Sequence, residues 1–292
     1  RSILHVIPVQ YSIDGNKGIK SPLGMFGDKL GVEISIISAD QNVLKNFKNV
    51  VKQCDLEIEN IIYTPYAIGL TLLSEEEKEL GVALLDIGST LSSLSIFYNG
   101  AILYTKIIPL GGNMITTDIS RIFSLSILDS ERIKIINGQL IEELEHSLSI
   151  IEVEALGNDN DSVEITRKDL IAVIKPRVKE IINTIKDELL ENRYNHLIAN
   201  RVVITGGAAQ MDGLIDVTSK LLDKKGRLGK AGTIKGIPDN MRNSSFTAIN
   251  SLLNYSMINH NDISLNNNKK NNNSEGLYNN LIKFKNWMLE NF

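Results

Sequence analysis

The chain has 292 residues and a formal net charge of −4, and hydrophobic residues make up 42% of it. This length is typical of about two domains, the hydrophobic fraction is enough for a buried core, and the mild acidity argues against a dedicated nucleic-acid-binding protein. Cys54 is the only cysteine, which excludes an intramolecular disulfide and favours a reducing compartment. No apolar run approaches the roughly 18 residues that are needed to span a bilayer.

Residues 1–80 are predicted to form a small α+β module that ends in a bridging helix. Ser2 to Ile13 is apolar and β-branched, and Gly31 to Ala39 alternates apolar and polar residues, so both are predicted to be strands. Asp40 to Lys52 is predicted to be a helix, with Asp40 as its N-cap. Glu59 to Tyr63 is predicted to be another short strand, and a helix follows near Pro65 to Leu73.

Three strands and a helix are predicted next. Gly81 to Ile87 is predicted to be a buried strand, and Leu91 to Tyr98 is predicted to be a second strand. Asn99-Gly100 favours a tight hairpin turn, because both of its central positions accept positive φ. Ala101 to Pro109 is therefore predicted to be the third strand, and a helix is expected from about Asn113 to Phe123.

The elements that follow alternate helices and strands. A helix is predicted after Asp129, which would cap it, and strands are predicted at Ser147 to Ala155 and Ser162 to Ile165. Thr166 and Asp169 have the spacing of a capping box and predict the start of a long helix.

Residues 81–258 are predicted to form the second domain. The last part of this domain begins with a short buried strand at Arg201 to Thr205. Helices are expected to start near Asp212 and to run over Ser245 to Met257.

The C-terminal residues have a different character. Residues 259–276 are rich in asparagine, lysine and serine and are predicted to be a disordered linker. On a helical wheel, residues 277–292 place their large apolar side chains along one side, which predicts an amphipathic helix that lies in the headgroup region of a membrane. The side chains expected to enter the lipid are Leu281, Phe284, Trp287, Met288 and Phe292. The alternative is that this helix docks on its own domain.

Two glycine-containing segments are candidates for a nucleotide site. Asp86-Ile87-Gly88-Ser89-Thr90 follows a buried strand and could present backbone N–H groups and a carboxylate to a phosphate and its Mg²⁺. Gly206-Gly207-Ala208-Ala209 joins a strand to a helix and would allow the backbone to approach a ligand closely. Taken singly, each segment is better explained as an ordinary tight turn.

A charged pair is the third candidate. Glu131 and Lys134 lie three residues apart on one face of a predicted helix. They could hold a ribose and a base, or they could be a solvent-exposed ion pair.

The order of these motifs resembles the second half of the actin, Hsp70 and sugar-kinase superfamily, and more closely the FtsA family of bacterial cell-division proteins. The segments that carry the resemblance are RSILHVIPVQYSIDG, GIKSPLGMFG, LLDIGST, IIPLGGNMITTDIS, TRKDLIAVIKPRVKEI and VVITGGAAQMDGL. The resemblance implies an α/β fold in which an actin-like, ribonuclease H-like domain 2 follows a small α+β module called 1C. It also implies a site for ATP with Mg²⁺, with Asp86 near the metal. The residues expected to bind nucleotide are Asp86, Gly88, Ser89, Thr90, Gly111, Gly112, Glu131, Lys134, Gly206, Gly207, Ala208 and Ala209.

The resemblance also implies partners and a location. Arg167 and Arg177 on the long helix are expected to meet the acidic C-terminal peptide of FtsZ. Other divisome proteins, further copies of the chain and membrane lipid are the other expected partners, and no nucleic acid is expected. The implied location is the cytoplasmic side of the cell membrane, at the division septum.

Two departures from the family pattern bear on whether the chain binds nucleotide. The family has a segment called 1A, with a first phosphate loop, before the 1C module, and this sequence shows nothing equivalent. Ser89, Thr90 and Leu91 stand where the family has small-Gly-Thr, and a β-branched Thr90 would not tolerate a glycine-specific backbone conformation. Weak or absent nucleotide binding is therefore expected. The alternatives are a catalytic ATPase or sugar kinase of the superfamily, or a truncated fragment without nucleotide function.

Overall fold

A computed structural model describes residues 1–141, 149–154, 162–230 and 236–257 of the chain. The strands are β1 Ser2–Ile13, β2 Asn16–Ile19, β3 Leu30–Ala39, β4 Val82–Ile87, β5 Ser92–Tyr98, β6 Ala101–Ile108, β7 Ile150–Glu154, β8 Ser162–Thr166, β9 Arg201–Thr205 and β10 Lys225–Leu228. The helices are α1 Gln41–Gln53, α2 Thr64–Leu72, α3 Glu75–Leu80, α4 Gly112–Phe123, α5 Ile127–Asn137, α6 Arg167–Glu191, α7 Leu214–Leu222 and α8 Thr247–Met257.

A mixed five-stranded sheet in the order β10-β9-β4-β5-β6 is the centre of the molecule. β10, β9 and β4 are parallel, whereas β5 and β6 continue the sheet as antiparallel strands. β4 is apolar except for Asp86, because both faces of the sheet are covered. Leu85 and Ile87 pack towards α4, α6 and α7 on one face, and Leu84 packs towards α2 on the other.

The N-terminal module is a smaller antiparallel sheet in the order β2-β1-β3. Ile7 and Ile37 belong to the same buried cluster as Tyr66 and Ile68 of α2. His5 strengthens this contact, because its Nε2 accepts a 2.9 Å hydrogen bond from a backbone N–H of the segment that enters α2, and its ring packs against two tyrosines. The module is therefore packed directly on the central sheet unit.

The structure corrects two local predictions. Glu59 to Tyr63 forms no strand. The N–H of Tyr63 donates to the His5 side chain, and the Tyr63 hydroxyl bonds to Thr105. These contacts involve side chains and replace the backbone hydrogen bonds of a strand ladder. Asp129 is not the N-cap of α5. Ser126 is the cap, and its Oγ accepts the N–H of Asp129 at 3.0 Å.

Three elements were not predicted: α3, which has a sequence signal, and the short edge strands β2 and β10. α3 begins with a reciprocal capping box between Ser74 and Glu77, a spacing that is readable in the sequence. β10 is a four-residue edge strand whose pairing with β9 is set by tertiary contacts. The predicted cap of α6 is confirmed, since the Oγ1 of Thr166 accepts the N–H of Asp169 at 3.1 Å.

Candidate nucleotide site

The turn after β4, residues 88–91, is called here the phosphate turn. It is closed by a 3.0 Å hydrogen bond from the N–H of Gly88 to the carbonyl of Leu91, and a Cβ at Gly88 would lie 2.9 Å from that oxygen. The backbone N–H groups of Ser89 and Thr90 make no hydrogen bond within the described part of the chain, and both residues are exposed. The turn can therefore donate backbone hydrogen bonds to an anion.

The backbone conformation of this turn is compatible with a β-branched residue at Thr90. The non-glycine residues with positive φ among the described residues do not include Ser89 or Thr90. The expectation that a β-branched residue would be strained here is wrong, because the turn does not use the conformation that only glycine tolerates.

Asp86 lies near the end of β4, between β5 and β9. Burial raises the pKa of its carboxyl from 3.8 to about 6. A Cβ on Gly206 would lie 2.6 Å from Asp86 Oδ1 and 2.4 Å from the carbonyl of Ile87, and Gly206 has φ +94°. Glycine is therefore required where the Gly206 segment passes the carboxylate.

The start of α4 is anchored on the phosphate turn. The N–H of Gly112 donates to the carbonyl of Gly88 at 2.9 Å, and the N–H of Asn113 donates to the carbonyl of Ser89 at 2.7 Å. A Cβ on Gly111 would lie 2.5 Å from the Ser89 oxygen. These bonds satisfy N–H groups that a helix N-terminus otherwise leaves without a partner, and they fix α4 to the turn.

Glu131 and Lys134 of α5 form a polar cluster with Thr116 in which Lys134 is largely buried, whereas 39% of the Glu131 side chain is exposed. Lys134 Nζ lies 2.6 Å from Glu131 Oε2, 2.9 Å from Thr116 Oγ1 and 3.2 Å from the carbonyl of Gly112, and only 12% of its side chain is exposed. The Thr116 hydroxyl also bonds to Glu131. Although burial alone would raise the pKa of Glu131, the hydrogen bonds from Lys134 and Thr116 lower it below its ordinary value.

The Gly-Gly-Ala-Ala segment meets the same point. After Gly206 the chain makes a short 3-10 turn at Ala208–Gln210, in which the N–H of Ala209 bonds to the Gly206 carbonyl at 3.2 Å. A Cβ on Gly112 would lie 3.8 Å from the Cβ of Ala208. The three candidate segments, far apart in sequence, therefore converge around the start of α4.

Thr116 was not predicted to belong to this site. Its neighbours in the sequence, which include a second threonine and Asp118, form a polar stretch inside the amphipathic α4, and that stretch was the available signal. An open pocket of about 310 Å³ adjoins the site, and Asp86, Ser93 and Tyr63 are among the residues that line it.

A nucleotide-bound magnesium ion is compatible with these residues. Within the described ranges no three His, Cys, Asp or Glu side chains form a metal cluster, but Mg²⁺ on a nucleotide needs only one or two carboxylates beside phosphate and water. The half-buried carboxylate of Asp86 gains from a nearby cation, because burial disfavours its charged form.

The two predicted partner residues on α6 have different surroundings. Arg167 Nη1 lies 3.4 Å from Gln139 Oε1. Arg177 is held by Asp118 and by Glu180. Ten residues along an α-helix rotate the side-chain direction to roughly 80° short of three full turns, so the side chains of the two arginines leave the helix in different directions.

The predicted linker, residues 259–276, and the predicted membrane-binding residues lie outside the described residues; the latter are Leu281, Phe284, Trp287, Met288 and Phe292. Among the helices of the described ranges, none is long and apolar enough to cross a bilayer.

Two family models match the chain. "Cell division protein FtsA" matches residues 83–251, and "SHS2 domain inserted in FTSA" matches residues 1–38. The chain is 32% identical to the cell division protein FtsA of Agrobacterium fabrum over 260 residues, and 31% identical to that of Escherichia coli over 265 residues. Each alignment covers 88% of this chain but only 59% and 63%, respectively, of the relatives' own length.

Solved structures with the same fold are more distant in sequence. MreB5 of Spiroplasma citri bound to ADP has a TM-score of 0.62 at 16% identity, over 75% of this chain and 66% of that one. The PilM-PilN type IV pilus biogenesis complex has a TM-score of 0.60 at 17% identity, over 85% of this chain and 65% of that one. These similarities show the actin-like α/β fold that the sequence motifs predicted.

Proposed function

This chain belongs to the FtsA family, and on that premise we propose that it is a cell-division adaptor that links FtsZ filaments to the inner face of the cytoplasmic membrane. The convergence of the phosphate turn, the start of α4 and the Gly206 segment around Gly112 is the observation that supports a regulated, nucleotide-binding adaptor. Residues 1–80 would serve as the 1C module and residues 81–258 as the actin-like domain 2.

ATP with Mg²⁺ is the proposed ligand of the convergent site. The N–H groups of Ser89 and Thr90 would donate to phosphate oxygens, Asp86 would hold the hydrated metal, and Glu131 with Lys134 would face the ribose. Bound Mg²⁺ would neutralise phosphate charge. The structural neighbour MreB5 of Spiroplasma citri was solved with ADP and with AMPPNP, which supports nucleotide as the ligand class.

We propose that this binding is weak. The side chains of Ser89 and Thr90 are exposed beside the donor N–H groups, where a glycine would leave room for a phosphate. An adaptor needs bound nucleotide but not its hydrolysis, so the proposed role requires no ATPase activity. Isothermal titration with Mg-ATP measures this directly; submicromolar affinity would contradict it, and Thr90→Gly is expected to bind more tightly than the original chain.

The membrane and partner contacts follow the sequence pattern. Residues 277–292 would lie in the headgroup region through their apolar side, and the tether at 259–276 would give them reach. FtsZ would bind through its acidic C-terminal peptide, with Arg167 and Arg177 as contacts. Other division proteins and further copies of the chain are the remaining proposed partners, at the septum on the cytoplasmic side.

Vesicle co-sedimentation tests the adaptor role. FtsZ, which has its own acidic tail, is mixed with anionic vesicles with and without the chain. The chain is expected to bring FtsZ into the vesicle pellet, and Trp287→Glu is expected to abolish this, because it places a charge in the apolar side of the helix. If FtsZ stays in the supernatant while the chain itself pellets, the proposed link is wrong; if neither pellets, the membrane contact is wrong.

A further inference from the structure

Arg177 of α6 is enclosed by carboxylates from its own chain. Its Nε lies 2.6 Å from Asp118 Oδ2 and its Nη2 lies 3.0 Å from Asp118 Oδ1, which is a bidentate contact on one edge of the guanidinium. Its Nη1 lies 2.5 Å from Glu180 Oε2. Three of the five N–H donors of the guanidinium are thus in use.

The charge around Arg177 does not favour an acidic ligand. One guanidinium and two carboxylates sum to a net charge of −1 at this point of the surface. The Asp118 and Arg177 side chains are only 20% and 22% exposed, whereas that of Glu180 is 53% exposed. A carboxylate approaching from solvent would therefore meet Glu180 first. It would then have to compete with the ion pair between Arg177 and Asp118, which is better shielded from solvent.

Asp118 is held in place by the packing of α4. Its neighbours Ile115 and Ile119 are buried against the central sheet, and the start of α4 is bonded to the phosphate turn. Its carboxylate can accordingly act as a fixed competitor, while the side chain of Glu180 can move away.

We propose that Asp118 and Glu180 form an intramolecular clamp on Arg177, and that an acidic peptide binds Arg177 only by displacing Glu180 from it. The inference rests on the proposed contact between α6 and the acidic C-terminal peptide of FtsZ. It assigns Asp118 as the positioning residue that sets the affinity of this contact.

The test measures peptide affinity and arginine reactivity in the same set of variants of the 292-residue chain. The probe is a synthetic peptide with the acidic C-terminal sequence of FtsZ, titrated by fluorescence anisotropy at low salt. Asp118→Asn and Glu180→Gln are each expected to bind it roughly 3- to 10-fold more tightly than the original chain, because each removes a competing charge. Asp187→Asn is the matched control, since it removes the same charge from an exposed position on α6 about 15 Å further along the helix.

The second readout does not need a partner. Phenylglyoxal modifies accessible guanidinium groups, and mass spectrometry of proteolytic peptides gives the rate at each arginine. Arg177 is expected to react more slowly than the exposed Arg132 of α5, and its rate is expected to rise in Asp118→Asn but not in Asp187→Asn. Urea unfolding verifies that the variants are folded; if Asp118→Asn is not, Glu180→Gln carries both measurements.

The outcomes separate the two ideas. If no variant binds the peptide, the proposed FtsZ contact fails, and the reactivity of Arg177 still decides whether the clamp exists. If Arg177 reacts as fast as Arg132, or if Glu180→Gln binds the peptide no better than Asp187→Asn does, the clamp is refuted.

Discussion

Replacing Asp86 by asparagine should change how stability depends on pH. The carboxyl has a pKa of about 6 in the folded chain against 3.8 ordinarily, so between about pH 4 and pH 6 the folded state binds more protons than the unfolded state. The stabilising contribution of this group is thus fully present below about 3.8 and is lost as the pH rises through about 6. At about 1.4 kcal/mol per tenfold change in proton affinity, the ionised carboxylate costs about 3 kcal/mol at pH 7.

Asp86→Asn removes this cost without changing the size of the side chain. The free energy of unfolding of the variant, minus that of the original chain, should increase by about 2 kcal/mol from pH 4 to pH 7, since part of the transition lies below pH 4. Urea unfolding at several pH values measures the difference, and the exposed Asp187→Asn serves as the control. A difference that stays constant over this range would refute the reasoning. Millimolar Mg²⁺ at pH 7 should stabilise the original chain more than Asp86→Asn, because a cation favours the ionised carboxylate.

Three further predictions concern stability and are checked by urea unfolding. Gly206→Ala should lower the free energy of unfolding by at least about 2 kcal/mol, because φ is +94° and the new Cβ would lie 2.4 Å from a backbone oxygen; Gly207→Ala, whose Cβ would meet only a hydroxyl at 3.5 Å, should change little. Glu77→Gln should lower the free energy of unfolding by about 1–3 kcal/mol at pH 7. Because Arg227 lowers the pKa of the Glu77 carboxyl, the stability that the ion pair contributes is present above the ordinary pKa and is lost as the pH falls. The difference between Glu77→Gln and the original chain should therefore vanish in acid. Lys134→Met should cost about 1–2 kcal/mol, because it leaves a partly buried carboxylate without its cation; an unchanged unfolding midpoint would contradict it.

The central sheet was predictable because its strands carry strong local signals. β4 is apolar up to Asp86, Asn99-Gly100 joins β5 to β6, and Thr166 with Asp169 begins α6. Each of these appears in the structure where the sequence predicts it. The stretch from Glu59 to Tyr63, with its two adjacent isoleucines, was misleading. Strand propensity does not form a strand when the backbone has no ladder partner, and here a side chain, that of His5, takes the Tyr63 N–H.

The candidate site was predictable in its parts but not in its contacts. Sequence motifs suggested the phosphate turn, the Gly206 segment and the Glu131 and Lys134 pair as candidates, and the structure brings these segments together. They could not reveal that Lys134 reaches the Gly112 carbonyl, or that burial raises the pKa of the Asp86 carboxyl. Both depend on distances between elements far apart in the chain. The positive charge of Arg177 likewise favoured an acidic partner, whereas its intramolecular carboxylates come from another helix and from the next turn of its own.

α4 physically joins the two proposed binding places. It begins on the phosphate turn at Gly112, and Asp118, about 9 Å further along the same helix, holds Arg177 of α6. Its apolar side is buried against the sheet, so the helix can transmit a shift of the turn only by moving as a body. A phosphate that repositions the turn would therefore bear on the clamp at Arg177. Coupling between two binding equilibria is reciprocal, so if nucleotide changes the affinity for the acidic peptide through Asp118, the peptide changes the affinity for nucleotide by the same factor.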